Sequence, residues 1–124
     1  MSKLIYKDES YETVGICMEV HNNLGPGLLE IVYKDAIEYE LDSNFIFYER
    51  EKEYSIPYKD TVLKHKFYAD FVVFDKIILE VKSKESIANE DIARTINYLK
   101  ISGCRLALII IFSKSKLEVK RIAN

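Results

Sequence analysis

The sequence lacks most of the features that would place it in a specialised class. Its longest uninterrupted apolar run, Leu106 to Phe112, falls far short of the ~20 residues that a membrane-spanning helix needs. That run reads instead as a buried strand. The N-terminal stretch from Met1 to Asp8 has no apolar segment of the signal-peptide kind, so the expected location is the cytoplasm. Cysteine is scarce. Cys17 and Cys104 each sit in an apolar pattern with no Cys or His at metal-ligand spacing, so both read as buried thiols rather than a disulfide framework or a zinc site. A basic excess is missing too: 18 Lys and Arg stand against 20 Asp and Glu, for a net charge of −2. Strong non-specific DNA binders usually carry a basic surface. Contact with nucleic acid here would need a local patch, or metal ions that offset carboxylates. There is no repeat, low-complexity tract or linker, and 124 residues, 48% of them hydrophobic, suit one domain over 1–124 with one real core.

Apolar residues Tyr11, Val14 and Met18, with His21, recur at helical spacing and predict a first helix from about Asp8 or Ser10 to Asn22. Gly25-Pro26-Gly27 breaks it, since Gly suits a left-handed stop and Pro cannot continue the helix. A second helix is predicted from about Leu28 to Leu41. The period then changes to two. Phe45 to Tyr48 and Lys52 to Pro57 read as one long or bent strand, Tyr58 to Thr61 as a turn, and Val62 to Phe74 as the returning strand. Ile77 to Val81 predicts a third strand. Asn89, followed by Glu90 and Asp91, reads as the N-cap of a helix that Gly103 ends near Ser102. Leu106 to Phe112, apolar on both faces, predicts a central strand with helices over it. The fold class is therefore α/β with a mixed sheet.

Three charged residues fall where strands should be apolar. Asp70 is the charged residue of Phe67 to Phe74, and Glu80 and Lys82 interrupt Ile77 to Lys82. Alternation puts Glu80 and Lys82 on one face. Asp70 joins that face only if the hairpin has the right parity. A two-residue loop at Asp75-Lys76 would split the site. A three-residue loop, Asp75-Lys76-Ile77, would set Asp70 opposite Lys82 with Glu80 on the diagonal, ~7–8 Å away and within reach of a shared cation. A bulge could serve the same end. Two carboxylates so placed suit Mg²⁺ or Mn²⁺, which prefer oxygen ligands and keep several waters, and a lysine beside them can orient water or stabilise a transition state. The plain alternative is a cross-strand Asp–Lys pair with Glu80 at a solvated strand end.

Asp70, nine residues, then Glu80-Val81-Lys82 resembles the signature of the PD-(D/E)XK nuclease superfamily. Upstream, Glu19 to Tyr33 resembles the GxxExxY proteins, a small bacterial branch of that superfamily, with the naming motif on Gly27, Glu30 and Tyr33. Ile96 to Gly103 is similar to the late helix of that branch. The likeness runs from about Val14 to Phe112 with its segments in order. It implies a restriction-endonuclease-like core of αβββαβ order flanked by helices. It further implies Asp70 and Glu80 as metal ligands, Lys82 as the catalytic lysine, and Glu30 and the Val81 carbonyl as further ligands. Glu30 equally suits a first-turn acid on free helix N–H groups, and Tyr33 suits either core packing or a phosphate contact. In the superfamily the late helix often carries a Gln-x-x-x-Tyr pair. Here it reads Arg94 to Tyr98, and Arg94 could hold a phosphate, pair with a site carboxylate or sit solvated, with Tyr98 beside the site.

Three functions follow. The first is a Mg²⁺- or Mn²⁺-dependent nuclease that hydrolyses DNA phosphodiester bonds; a chain this small would cut both strands as a homodimer or in two events. The second is a catalytically degenerate module that binds nucleic acid or protein on the same fold. The third is a purely structural interaction protein. Fold alone does not choose among them.

Overall fold

The periodicities resolve into three helices and five strands in a computed structural model that describes residues 4–124; Met1, Ser2 and Lys3 of the N-terminal stretch lie outside the described residues. The order is α1 (Lys7–Leu24), α2 (Glu30–Ser43), β1 (Tyr48–Tyr58), β2 (Thr61–Val73), β3 (Ile77–Lys82), α3 (Asn89–Ser102), β4 (Leu106–Phe112) and β5 (Leu117–Ala123). The strands form one mixed sheet in sequential order, with β3 and β4 parallel and the other neighbours antiparallel. The parallel pair requires a crossover, and α3 supplies it. No helix among the described residues is long and apolar enough to cross a membrane.

β4 explains its own composition. Leu106, Leu108, Ile110 and Phe112 pack into the cluster beneath α1 and α2, while Ala107, Ile109 and Ile111 pack into the cluster beneath α3. A strand covered on both faces has no position left for a polar side chain. β5, which the sequence analysis did not predict, gives β4 its second neighbour. Leu117 to Lys120 do alternate, but the pattern is short, breaks at Arg121, and belongs to an edge strand with much of its length exposed.

The elbow between α1 and α2 is held from below. Gly25 stops α1 with φ 71°, and its N–H donates to His21 O at 2.8 Å. The Tyr33 hydroxyl donates to Gly25 O at 2.6 Å and accepts from the Leu28 N–H at 3.3 Å. Its ring is fully buried and stacks on Phe112 at 4.0 Å. The Ser83 hydroxyl donates to Leu28 O at 2.6 Å, which ties the residue just past β3 to the start of α2. Two expectations shift here. α2 begins at Glu30 rather than Leu28. In α3 the cap is Ala88, not Asn89: the Asp91 carboxylate accepts the Ala88 N–H at 3.0 Å, so the third helical residue satisfies the cap.

Candidate metal and phosphodiester site

The site lies where β2 and β3 part. The two strands pair from Val73↔Ile77 through Phe71↔Leu79. Phe74, Asp75 and Lys76 make the turn, with left-handed φ of 57° at Phe74 and 59° at Asp75. The loop thus starts one residue earlier than expected. Parity is still even, but Asp70 comes opposite Glu80 and not Lys82.

Beyond Phe71 and Leu79, carboxylates take over from the backbone ladder. The Asp70 N–H donates to Glu80 Oε2 at 3.0 Å, and the Val81 N–H donates to Asp70 Oδ2 at 2.8 Å. Each acid thereby satisfies a backbone donor that the parting strands would leave unpaired. Each side chain is held by the backbone of the opposite strand, in a fork.

The fork also sits between the two helical layers. Phe67 and Ala69 pack toward α3, whereas Phe71 and Val73 pack toward α1 and α2. Simple alternation would put all four on one face, so β2 exchanges faces at Asp70. β1 shows the cause. Arg50 pairs with Phe71 and Lys52 with Ala69, but Glu51, between them, is left-handed at φ 54°. A non-glycine residue in that conformation costs of order 1–3 kcal/mol. The twist at Glu51 falls between the two strand pieces, Phe45 to Tyr48 and Lys52 to Pro57, that the residue pattern predicts.

Electrostatics separate the two acids. Glu80 is buried at 6% exposure. Burial first, then the Asp70 charge, pushes its carboxyl up to about 8; the Asp70 N–H and the Lys82 and Lys34 ammoniums offset only part of this. Asp70 has a cation of its own. Lys34, buried on α2, donates to Asp70 Oδ1 at 3.1 Å and also to Glu51. Burial opposes its charge, but the Glu51 and Asp70 carboxylates outweigh that and hold the ammonium above its usual range.

Lys82 follows Glu80 by two residues, on the face that Ile78 buries toward α3, and it is half-buried. Tyr98 stands over this face. Its ring stacks on Phe67 at 3.7 Å, and burial, followed by the Glu80 charge, raises its hydroxyl pKa.

At the other candidates the open alternatives resolve. Arg94 does not pair with the fork: its side chain is 52% exposed and its acidic neighbour is Asp91 at 3.8 Å. Lys34 holds the position near the acids that was one of the alternatives open to Arg94. Tyr33 is a packing residue with a satisfied hydroxyl, so it has no surface to offer a phosphate. Glu30 is exposed in the first turn of α2, one turn before Lys34. Among the described residues no three His, Cys, Asp or Glu side chains gather closely enough to hold a metal, so Glu30 does not complete a three-acid cluster. Lys34 and Glu51 were missed by sequence reasoning. Lys34 had a signal: it is the charged residue beside Tyr33 on the helix face that buries Ile37 and Leu41.

The donor set suits a divalent cation of the Mg²⁺ type. Such ions accept one or two carboxylates and keep their waters, and here two carboxylates meet, one of them so desolvated that its charge is unfavourable without a further cation.

A five-stranded mixed sheet between helical layers, with acids on two diverging strands and a lysine two residues on, defines a restriction-endonuclease-like α/β fold. The comparisons agree. The family profile described as PD-(D/E)XK nuclease superfamily matches residues 7–122. The chain belongs to the PD-(D/E)XK nuclease superfamily. Among solved structures it is similar to one described as "Crystal structure of SSO0001", with a TM-score of 0.57 and 18% identity over 96% of this chain. That likeness is one of fold, and this chain spans 57% of the other's length. No curated protein sequence matches it.

Proposed function

We propose that the protein is a metal-dependent nuclease that hydrolyses DNA phosphodiester bonds at the Asp70–Glu80 fork. The observation that carries this reading is Glu80: a buried carboxylate, held against Asp70 and pushed up to about 8, which a divalent cation would relieve. Asp70, Glu80 and the carbonyl of Val81 would hold Mg²⁺ or Mn²⁺. When bound, the ion supplies positive charge to the phosphate and activates water. Lys82 lies on the Glu80 face and orients the attacking water through its ammonium, then offsets charge that develops on the phosphorus oxygens. Tyr98, held flat by Phe67, walls the α3 side and restricts the approach of a strand. At the outer end of the β1–β2 ribbon, Lys59 and Lys64 stand near Asp60 in sequence, while Lys52 and Lys66 are paired with Glu49 and Glu53; Lys59 and Lys64 suit contact with a phosphate backbone.

The test is cleavage of plasmid and single-stranded DNA with Mg²⁺ or Mn²⁺. Lys82→Ala should lower the rate by about 10²–10³-fold while calorimetric Mn²⁺ binding persists. A wild-type protein that neither binds Mn²⁺ nor cuts DNA would exclude the enzyme. One observation favours a second reading, a degenerate nucleic-acid-binding module: Lys34 already neutralises Asp70. Under that reading DNA binds without Mn²⁺ and is not cut.

A further inference from the structure

Two features of the fork are unexplained by a metal site alone. Lys34 is buried, yet it contacts two acids in different surroundings. Asp70 lies inside, with a side chain 17% exposed, and Glu51 lies outside, with a side chain 49% exposed. Glu51 is also held in a left-handed conformation, opposite Asp70 across the β1–β2 ladder. That twist turns Glu51 toward α2 and gives the ammonium an outer partner beside its inner one. A lysine needed only to neutralise Asp70 would have no use for the second acid.

We propose that Lys34 is a resident counter-cation with two seats, and that it sets the affinity of the fork for a divalent cation. With the fork free of metal, its ammonium shares Asp70 and Glu51. When a divalent cation takes Asp70 and Glu80, Lys34 keeps Glu51 alone and frees Asp70 Oδ1. Lys34 and Glu51 are thus positioning residues: they touch neither the phosphate nor the attacking water. The inference rests on the reading of Asp70 and Glu80 as metal ligands. It goes beyond that reading by assigning a role to two residues outside the ligand set.

The opposing account is a general field effect, in which any nearby charge changes the affinity. Glu53 separates the two accounts. It lies two residues from Glu51 on the same strand and carries the same charge, but its partners are Lys66 at 3.0 Å and the Tyr68 hydroxyl.

The experiment is calorimetric titration of the full chain with Mn²⁺, together with melting of the metal-free proteins. Lys34→Met should melt lower without metal, because Asp70 loses its cation, yet bind Mn²⁺ about tenfold more tightly. Glu51→Gln should bind about tenfold more weakly, because Lys34 has no outer seat to move to. Glu53→Gln should bind as the wild type does. Glu51 is half exposed, so its variant keeps the test decisive even if Lys34→Met fails to fold. If Glu51→Gln binds Mn²⁺ as tightly as the wild type, or Glu53→Gln weakens binding equally, the two-seat role is overturned while the metal site stands. If no protein in the set binds Mn²⁺, the metal reading falls and this inference falls with it.

Discussion

Glu80 and Asp91 are each 6% exposed, and both feel the Lys82 ammonium, yet their carboxyls move in opposite directions. Glu80 is pushed up to about 8 by burial and by Asp70. Burial opposes the charge on Asp91 as well, but the Lys84 ammonium and the Ala88 N–H overcome it and hold that carboxyl below its usual range. Burial alone therefore does not decide which way a carboxyl shifts. Asp91 has its charge answered by its own neighbourhood and acts as a helix cap. Glu80 is offered one N–H and a second acid, which leaves its charge for something external to answer.

The contrast breaks most sharply under metal. At Mn²⁺ about 100-fold above its dissociation constant, the wild-type protein should gain about 2.7 kcal/mol of stability. Glu80→Gln should abolish that gain, and Asp91→Asn should keep it; thermal melting with and without Mn²⁺ reads both. An Asp91 variant that also lost the metal response would erase the distinction.

Without metal the two acids should exchange ranks. Asp91→Asn should cost about 1–2 kcal/mol in a denaturant titration, since it loosens the cap and the bond to a partly exposed Lys84. Glu80→Gln should cost less than this, because it removes a charge that the fold resists.

The pH dependence carries the same contrast. The Glu80 carboxyl is raised from 4.5 to about 8, so between those values the folded state holds more protons than the unfolded one. The stability this confers is complete below about pH 4.5 and is lost as pH rises through about 8. Asp91, lowered on folding, contributes stability above its unfolded pKa and loses it in acid. Urea titrations of the metal-free protein from pH 5 to 8 should show a Glu80-dependent decline that Glu80→Gln flattens and Asp91→Asn does not.

The smallest effect is expected at Arg94. Its contact with Asp91 is long and solvated, so Arg94→Gln should change stability by less than ~0.5 kcal/mol and leave the Mn²⁺ shift intact. A new or enlarged metal shift in that variant would return Arg94 to the fork.

Legibility in the sequence followed the physics of each region. β4 could be read to the residue because both its faces are covered, and α3 because an acidic first turn and Gly103 bracket it. Asp70, Glu80 and Lys82 stood out as charges within apolar strands. β5 did not stand out, since an edge strand need not look apolar. Lys34 and Glu51 were hidden for another reason. Their meeting depends on a left-handed residue in mid-strand and on a helix crossing above it, and neither has a local signature. Arg94 had the right charge at a suggestive position, but α3 turns it toward solvent.

The turn at Phe74 to Lys76 has a consequence for how this chain can change length. Asp70 and Glu80 meet because that turn holds three residues between Val73 and Ile77. One residue inserted there would rotate β3 by a face, presenting Leu79 toward α3 and turning Glu80 into the layer beneath α1 and α2. Two residues would restore the face but slide Glu80 along β2. The turn at Lys59 and Asp60, at the other end of β2, has no such hold on the fork. β1 and β2 already absorb a register shift between Ser55 and Pro57 without disturbing the pairing of Lys52 with Ala69. Insertions and deletions should therefore be tolerated at the outer hairpin and excluded from the inner one, which makes the spacing from Asp70 to Glu80 as much a part of the site as the carboxylates themselves.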